Sequence, residues 1–129
     1  MKFCIPLDKD NAVKFAMGLL LRAKLSVHMT MDLQGEVDHP LPKTYHETLF
    51  HLSKKGINIY RRSYGTKTLF KKMRTSFDGV KMFYGGTMSH YQRMLIIDKS
   101  MGMFALNGNI FFTTFEPLIK SLLIYAKIE

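Results

Sequence analysis

The chain has 129 residues, a length that suits one compact domain and leaves little for a second. Hydrophobic residues make up 47% and charged residues 22%, which excludes global disorder and a fibrous repeat. Lys and Arg number 19 against 10 Asp and Glu, a formal net charge of +9, and such an excess fits polyanions: nucleic acid first, then an acidic membrane surface or an acidic protein.

The single cysteine, Cys4, excludes an internal disulfide framework and a cysteine-based zinc knuckle within one chain, and its apolar surroundings read as a small buried residue. The longest apolar stretch, residues 16–21, is far short of the roughly 18 residues that cross a bilayer. Asp8 and Asp10 interrupt the order of a signal peptide. The expectation is an intracellular, cytoplasmic protein with no membrane insertion.

Residues 1–6 alternate loosely and end at Pro6, which suits a short first strand. Asp8 and Asp10 lie where an N-cap and first-turn anions stabilise a helix, and Val13, Phe15, Ala16, Leu19, Leu20 and Ala23 recur at helical spacing over residues 12–24. Residues 25–31 read as a second strand, and residues 32–43, with Gly35, Pro40 and Pro42, as a loop. Thr44 and Glu47 have the spacing of a capping box and Gly56 suits a C′ stop, so residues 45–55 read as a helix. Residues 57–62 read as a strand and residues 66–75 as a short basic helix. Further strands are expected at 80–84 and 93–97, with a Gly85-Gly86 turn between them. Residues 118–128 fit a strand and a helix almost equally. Strands alternating with helices predict a single α/β domain, built on a βαβαβ core, with a mixed, mainly parallel sheet flanked by helices.

The stretch richest in chemistry is residues 88–112, MSHYQRMLIIDKSMGMFALNGNIFF. On a strand Tyr91, Arg93, Leu95 and Ile97 share one face, and His90, Gln92, Met94 and Ile96 the other. A phenol and a guanidinium projecting side by side can hold a phosphate. Asn107 and Asn109 are likewise two apart, and their amides can donate to the same anion.

This stretch resembles the signature of the phospholipase D superfamily: His-x-Lys, four residues, Asp, about six residues, then Gly-Ser-x-Asn. Arg93 takes the Lys place and Asp98 the Asp place, with Met94, Leu95, Ile96 and Ile97 between them. Tyr91 takes the His place, and Asn107-Gly108-Asn109 is similar to the Ser-x-Asn, with Leu106 for the Gly and one extra residue. AKLSVHMTM resembles the family's segment before its second strand, and residues 45–60, with Leu49, Leu52, Gly56 and Ile59, resemble its helix-turn-strand before the motif.

The resemblance implies a phospholipase D-like fold, metal-independent chemistry with no cofactor, and a homodimer, because one motif per chain makes half of the family's site. In the family the His is the nucleophile, the Lys binds phosphate and the Asn assists. Here a phenol of ordinary pKa about 10 replaces the imidazole. His90 is the obvious substitute, yet strand alternation turns it away from Arg93. The implied protein is a nucleic-acid binder with a degenerate, catalytically impaired phosphodiesterase site. Two alternatives stand beside it: an inhibitor or adaptor that binds an acidic protein, and an active metal-independent nuclease attacking with Tyr91 or His90.

Charge placement is a second signal. Lys54, Lys55, Arg61, Arg62, Lys67, Lys71, Lys72 and Arg74 lie in 21 residues with no acid among them. Lys67, Lys71 and Arg74 fall on one helix face, and Tyr60 and Tyr64 interleave with the arginines, as in surfaces that stack single-stranded bases. Nucleic acid is therefore expected to contact Arg61, Arg62, Lys67, Lys71, Lys72 and Arg74. His46 and His51 are five apart, not the four of a zinc-protease helix, and read as surface residues. His28 reads as a hydrogen-bonded sheet residue, Gly102 as a turn glycine, and Glu36, Asp38 and His39 as exposed loop polars, with no metal site implied.

Overall fold

The structure, a computed structural model, describes residues 3–126. Strand β1 (Ile5–Leu7) leads into a 3₁₀ turn (Lys9–Asn11) whose cap, Asp8, accepts a hydrogen bond from the Asp10 N–H at 3.1 Å. Helix α1 (Ala12–Leu20) follows and buries Ala12, Ala16, Leu19 and Leu20, the spacing that the sequence predicts. Strand β2 (Ser26–Asp32) is buried on both faces, as a central strand must be.

The expected loop at 32–43 contains a short helix instead, α2 (Leu33–Asp38). Asp32 caps it by accepting from the Gly35 N–H at 3.0 Å, and Pro40 falls just beyond its end, where it ends a helix rather than preventing one. Helix α3 (Lys43–Lys54) begins earlier than the capping box requires. Thr44 is inside the helix, its carbonyl accepting from the Thr48 hydroxyl, and Glu47 pairs with Lys43 at 3.8 Å. Gly56 does end this helix, at φ +90°.

Strand β3 (Asn58–Tyr64), helix α4 (Lys67–Met73) and strand β4 (Lys81–Gly86) complete a parallel series with β2. Gly85 and Gly86 belong to β4 rather than to a turn. A side chain at Gly85 would place its Cβ 2.5 Å from Tyr64 Cζ, so close packing demands the glycine. A second 3₁₀ turn (Met88–His90) leads to β5 (Met94–Ile97), β6 (Met101–Leu106), β7 (Asn109–Thr113) and α5 (Glu116–Tyr125). The ambiguous segment is thus helical through Tyr125, its buried Ile119, Leu123 and Ala126 spaced for a helix. Residues 127 and 128 of that segment, and 1 and 2 of the first strand, lie outside the described residues.

The sheet runs β1-β7-β6-β5-β2-β3-β4. It is mixed and flanked by helices, as expected, but only β2, β3 and β4 pair in parallel. The other four pairings are antiparallel, so the sheet is not mainly parallel. Helices α1 and α3 cover one face, over Val27, Met29, Ile59, Leu95 and Ile97. Helix α5 covers part of the other, over Met94, Ile96 and Phe104, with half-buried Cys4 packed beside them. Among the described residues no helix is long and apolar enough to cross a membrane.

Candidate ligand cavity and nucleic-acid interface

Register brings Arg61 of β3, Met29 of β2, Leu95 of β5 and Met103 of β6 into one lateral row. All four face α1 and α3, because side chains alternate along a strand. Beyond this row, towards the C-terminal ends of β2 and β3, the small residues Ala12 and Ala16 leave a cavity of about 420 Å³. The crevice outside the carboxyl ends of parallel strands is where open α/β sheets place ligands.

Tyr91 and Arg93 both line this cavity, as their shared face implies. Thr30 holds the segment that carries them: its hydroxyl donates to the Gln92 carbonyl at 2.6 Å and accepts from the Met94 N–H at 3.0 Å. Burial pushes the Tyr91 phenol up to about 12, against the opposing pull of the Arg93 charge. At neutral pH it is a neutral hydroxyl, a hydrogen-bond donor rather than a phenolate. The Tyr64 ring lies 5.4 Å from it.

The other residues of the motif lie elsewhere. His90 is exposed at the end of the 3₁₀ turn and does not line the cavity; its place is set by that turn, not by strand alternation. Asp98 lies at the far end of β5, ~16 Å along the strand from Arg93. Its carboxylate accepts from the backbone N–H groups of Lys24 (3.1 Å), Leu25 (2.7 Å) and Ser26 (3.0 Å), tying the entry of β2 to the exit of β5. Partial burial works against its charge, but those donors outweigh it and hold the carboxyl below its usual range. Asn107 (φ +51°) and Gly108 (φ +77°) form the two-residue turn of the β6–β7 hairpin, the type I′ geometry that Asn-Gly favours. Asn107 and Asn109 are exposed there and do not line the cavity.

The cationic cluster divides. Lys67, Lys71, Lys72 and Arg74 are exposed on α4 and at its end, and none forms an ion pair among the described residues. Arg62 is half-buried on the opposite face of the sheet, where its Nη1 reaches the Tyr84 carbonyl at 3.5 Å. Arg61 is not a surface residue at all: it is 1% exposed and lines the cavity. The alternation Ile57, Ile59, Arg61 already points it inward, a signal that counting charges overlooks.

Other expectations change similarly. His28 is buried and stacked on Tyr60 (4.9 Å between centroids), with no partner for its Nδ1. Burial, helped by the Lys99 charge, lowers its pKa to about 4. His46 is half-buried; its Nε2 lies 2.7 Å from Glu36 Oε1, and Glu36 also accepts from the Leu41 N–H. Gly102 lies within β6, not in a turn. Thr30, Asp32, Glu36, His39, Tyr45 and Arg61 are polar cavity residues that motif reading misses. Only Tyr45 and Arg61 carry a signal, through their spacing with Leu49 and Leu52 and with Ile57 and Ile59.

No protein-family model matches the chain, and no curated protein does. Among solved structures 42 chains match. TrmBL2, described as an archaeal chromatin protein with a novel mode of DNA binding, aligns with a TM-score of 0.67 at 11% identity over 98% of this chain; the chain spans 49% of that one. Nuc from Salmonella typhimurium, a phospholipase D family member, gives 0.67 at 11% identity over 96% of this chain and 90% of that one. NucT from Helicobacter pylori gives 0.63 at 14% identity, over 96% and 91%. At these identities the likeness is one of fold, and the fold is phospholipase D-like.

Proposed function

We propose that this protein binds nucleic acid through the cations of α4 and keeps a phospholipase D-like site that no longer cleaves phosphodiesters. The observation that carries the reading is the row of exposed cations Lys67, Lys71, Lys72 and Arg74, free of carboxylate partners among the described residues, on a chain of net charge +9. TrmBL2, which shares the fold, is described as binding DNA, in line with this reading. On the other face Tyr60 and Phe83 stack at 6.5 Å, Phe83 is half exposed and the Lys81 ammonium lies 5.2 Å from the Tyr60 centroid, a surface suited to unpaired bases.

The lining of the cavity supports loss of cleavage. Tyr91 is held as a neutral phenol, His90 is outside, and Asn107 and Asn109 serve a hairpin turn. Arg93 keeps the phosphate-binding role that the resemblance implies. A homodimer would bring two such cavities together, and light scattering at micromolar concentration would show twice the chain mass.

The test is incubation with labelled single- and double-stranded DNA and RNA in EDTA, with binding and cleavage followed in the same tubes. Salt-sensitive binding without cleavage is expected. Cleavage that Arg93→Ala abolishes would replace this reading with an active phosphodiesterase. Absence of binding would overturn it in favour of an acidic protein partner.

A further inference from the structure

Arg61 has a chemical problem that nothing among the described residues solves. Its side chain is 1% exposed, its Nε donates to the Met29 sulfur at 3.3 Å, and its guanidinium lies 4.9 Å from the Phe77 ring centroid. Nη1 has no hydrogen-bond partner, and among the described residues Arg61 makes no ion pair. Glu36, the carboxylate of the same cavity whose charge reaches it, spends its oxygens on His46 and the Leu41 N–H. Asp32 caps α2. A guanidinium does not escape burial by losing its proton. Met29 and Phe77 fix its position, and Arg61 there lines the cavity.

We infer that the cavity is a binding site for a phosphate monoester, whose dianionic head is held between Arg61 within and Arg93 nearer the solvent. Charge selects the monoester: it carries close to two negative charges at neutral pH, matching two guanidiniums, whereas a diester carries one. Tyr45 and Tyr91, neutral phenols at pH 7, line the same wall and supply hydroxyl donors. The remaining wall is apolar, with Met29, Leu41, Met103 and Ile110, and suits the organic part of the ester. A volume of about 420 Å³ is of nucleotide-sized order. The monoester can come from a free nucleotide or from the phosphorylated end of a strand. The inference rests on the cavity being the ligand site named above and not on strand binding by α4.

Calorimetric titration of the full chain separates the possibilities, with adenosine 5′-monophosphate, adenosine and adenylyl-adenosine as probes. The monophosphate is expected to bind one per chain, and adenosine and the diester at least tenfold more weakly. Arg61→Met, which keeps the volume and removes the charge, is expected to lose at least tenfold in affinity while remaining folded by circular dichroism. Arg93→Gln, at an exposed position that cannot disturb the core, is expected to lose severalfold, so the assignment is testable even if the first variant unfolds. Single-stranded oligonucleotides with 5′-phosphate, 3′-phosphate or no terminal phosphate decide the source. Preference for one phosphorylated end identifies a strand terminus, and equal affinity for all three with tight monophosphate binding identifies a free nucleotide. Equal binding of adenosine and its monophosphate, unchanged affinity in both arginine variants, or no binding at millimolar monophosphate would overturn the inference. Oligonucleotide binding lost only on removing the Lys71, Lys72 and Arg74 charges would persist in that case, leaving the α4 reading intact.

Discussion

His28 and Asp98 both tie the stability of this fold to pH on the acid side. The His28 pKa is lowered to about 4 in the fold, against about 6.5 unfolded, so the unfolded chain binds the extra proton. Its contribution is complete above pH ~6.5 and is lost as pH falls towards 4, by up to roughly 3 kcal/mol. His28→Phe should flatten that part of a stability profile measured by urea denaturation. Asp98, also depressed, contributes above the ordinary carboxylate range and loses its contribution only as pH falls below ~4. Asp98→Ala frees three backbone donors and should cost about 2 kcal/mol at neutral pH with no effect on the cavity. Thr30→Val removes both bonds that hold the Tyr91–Arg93 segment, one of them to the Met94 N–H. A loss of about 2 kcal/mol is expected, with weaker ligand binding than stability alone explains.

Between elements, local pattern identifies what is local. The helical spacing of α1, the Gly56 stop, the Asn107-Gly108 hairpin and the Thr66 cap on α4, which accepts from the Leu69 N–H at 3.1 Å, can all be read from neighbouring residues. Strand direction cannot, because it is decided by partners distant in sequence. The β5–β6 hairpin is a case in point: its turn uses Asp98 and Lys99 at φ +54° and +53°, without the glycine that would announce it. The motif is legible as a string, but of its polar residues only Tyr91 and Arg93 line the cavity. Asp98, Asn107 and Asn109 answer to turn and backbone geometry instead. Gly85 shows the same limit: its need for glycine comes from Tyr64 and Arg62 on the adjacent strand. Gly85→Ala should destabilise by about 1–3 kcal/mol in denaturant titration, since its Cβ meets a ring and a neighbouring side chain.

Across the whole molecule, burial separates cations that the sequence interleaves. The exposed cations of α4 face solvent, while Arg61, only a few residues earlier, is turned into the cavity. Substituting the α4 cations therefore leaves fold and cavity untouched, and thermal midpoints should stay within a few degrees of wild type. Contact between those cations and the phosphate backbone, as proposed, would show in the salt dependence of binding. Four phosphate contacts to a single strand predict a slope of log K against log salt near about −3, and Lys71→Ala, Lys72→Ala and Arg74→Ala combined should reduce it to near −1. Equal slopes and affinities for the two proteins would contradict the account.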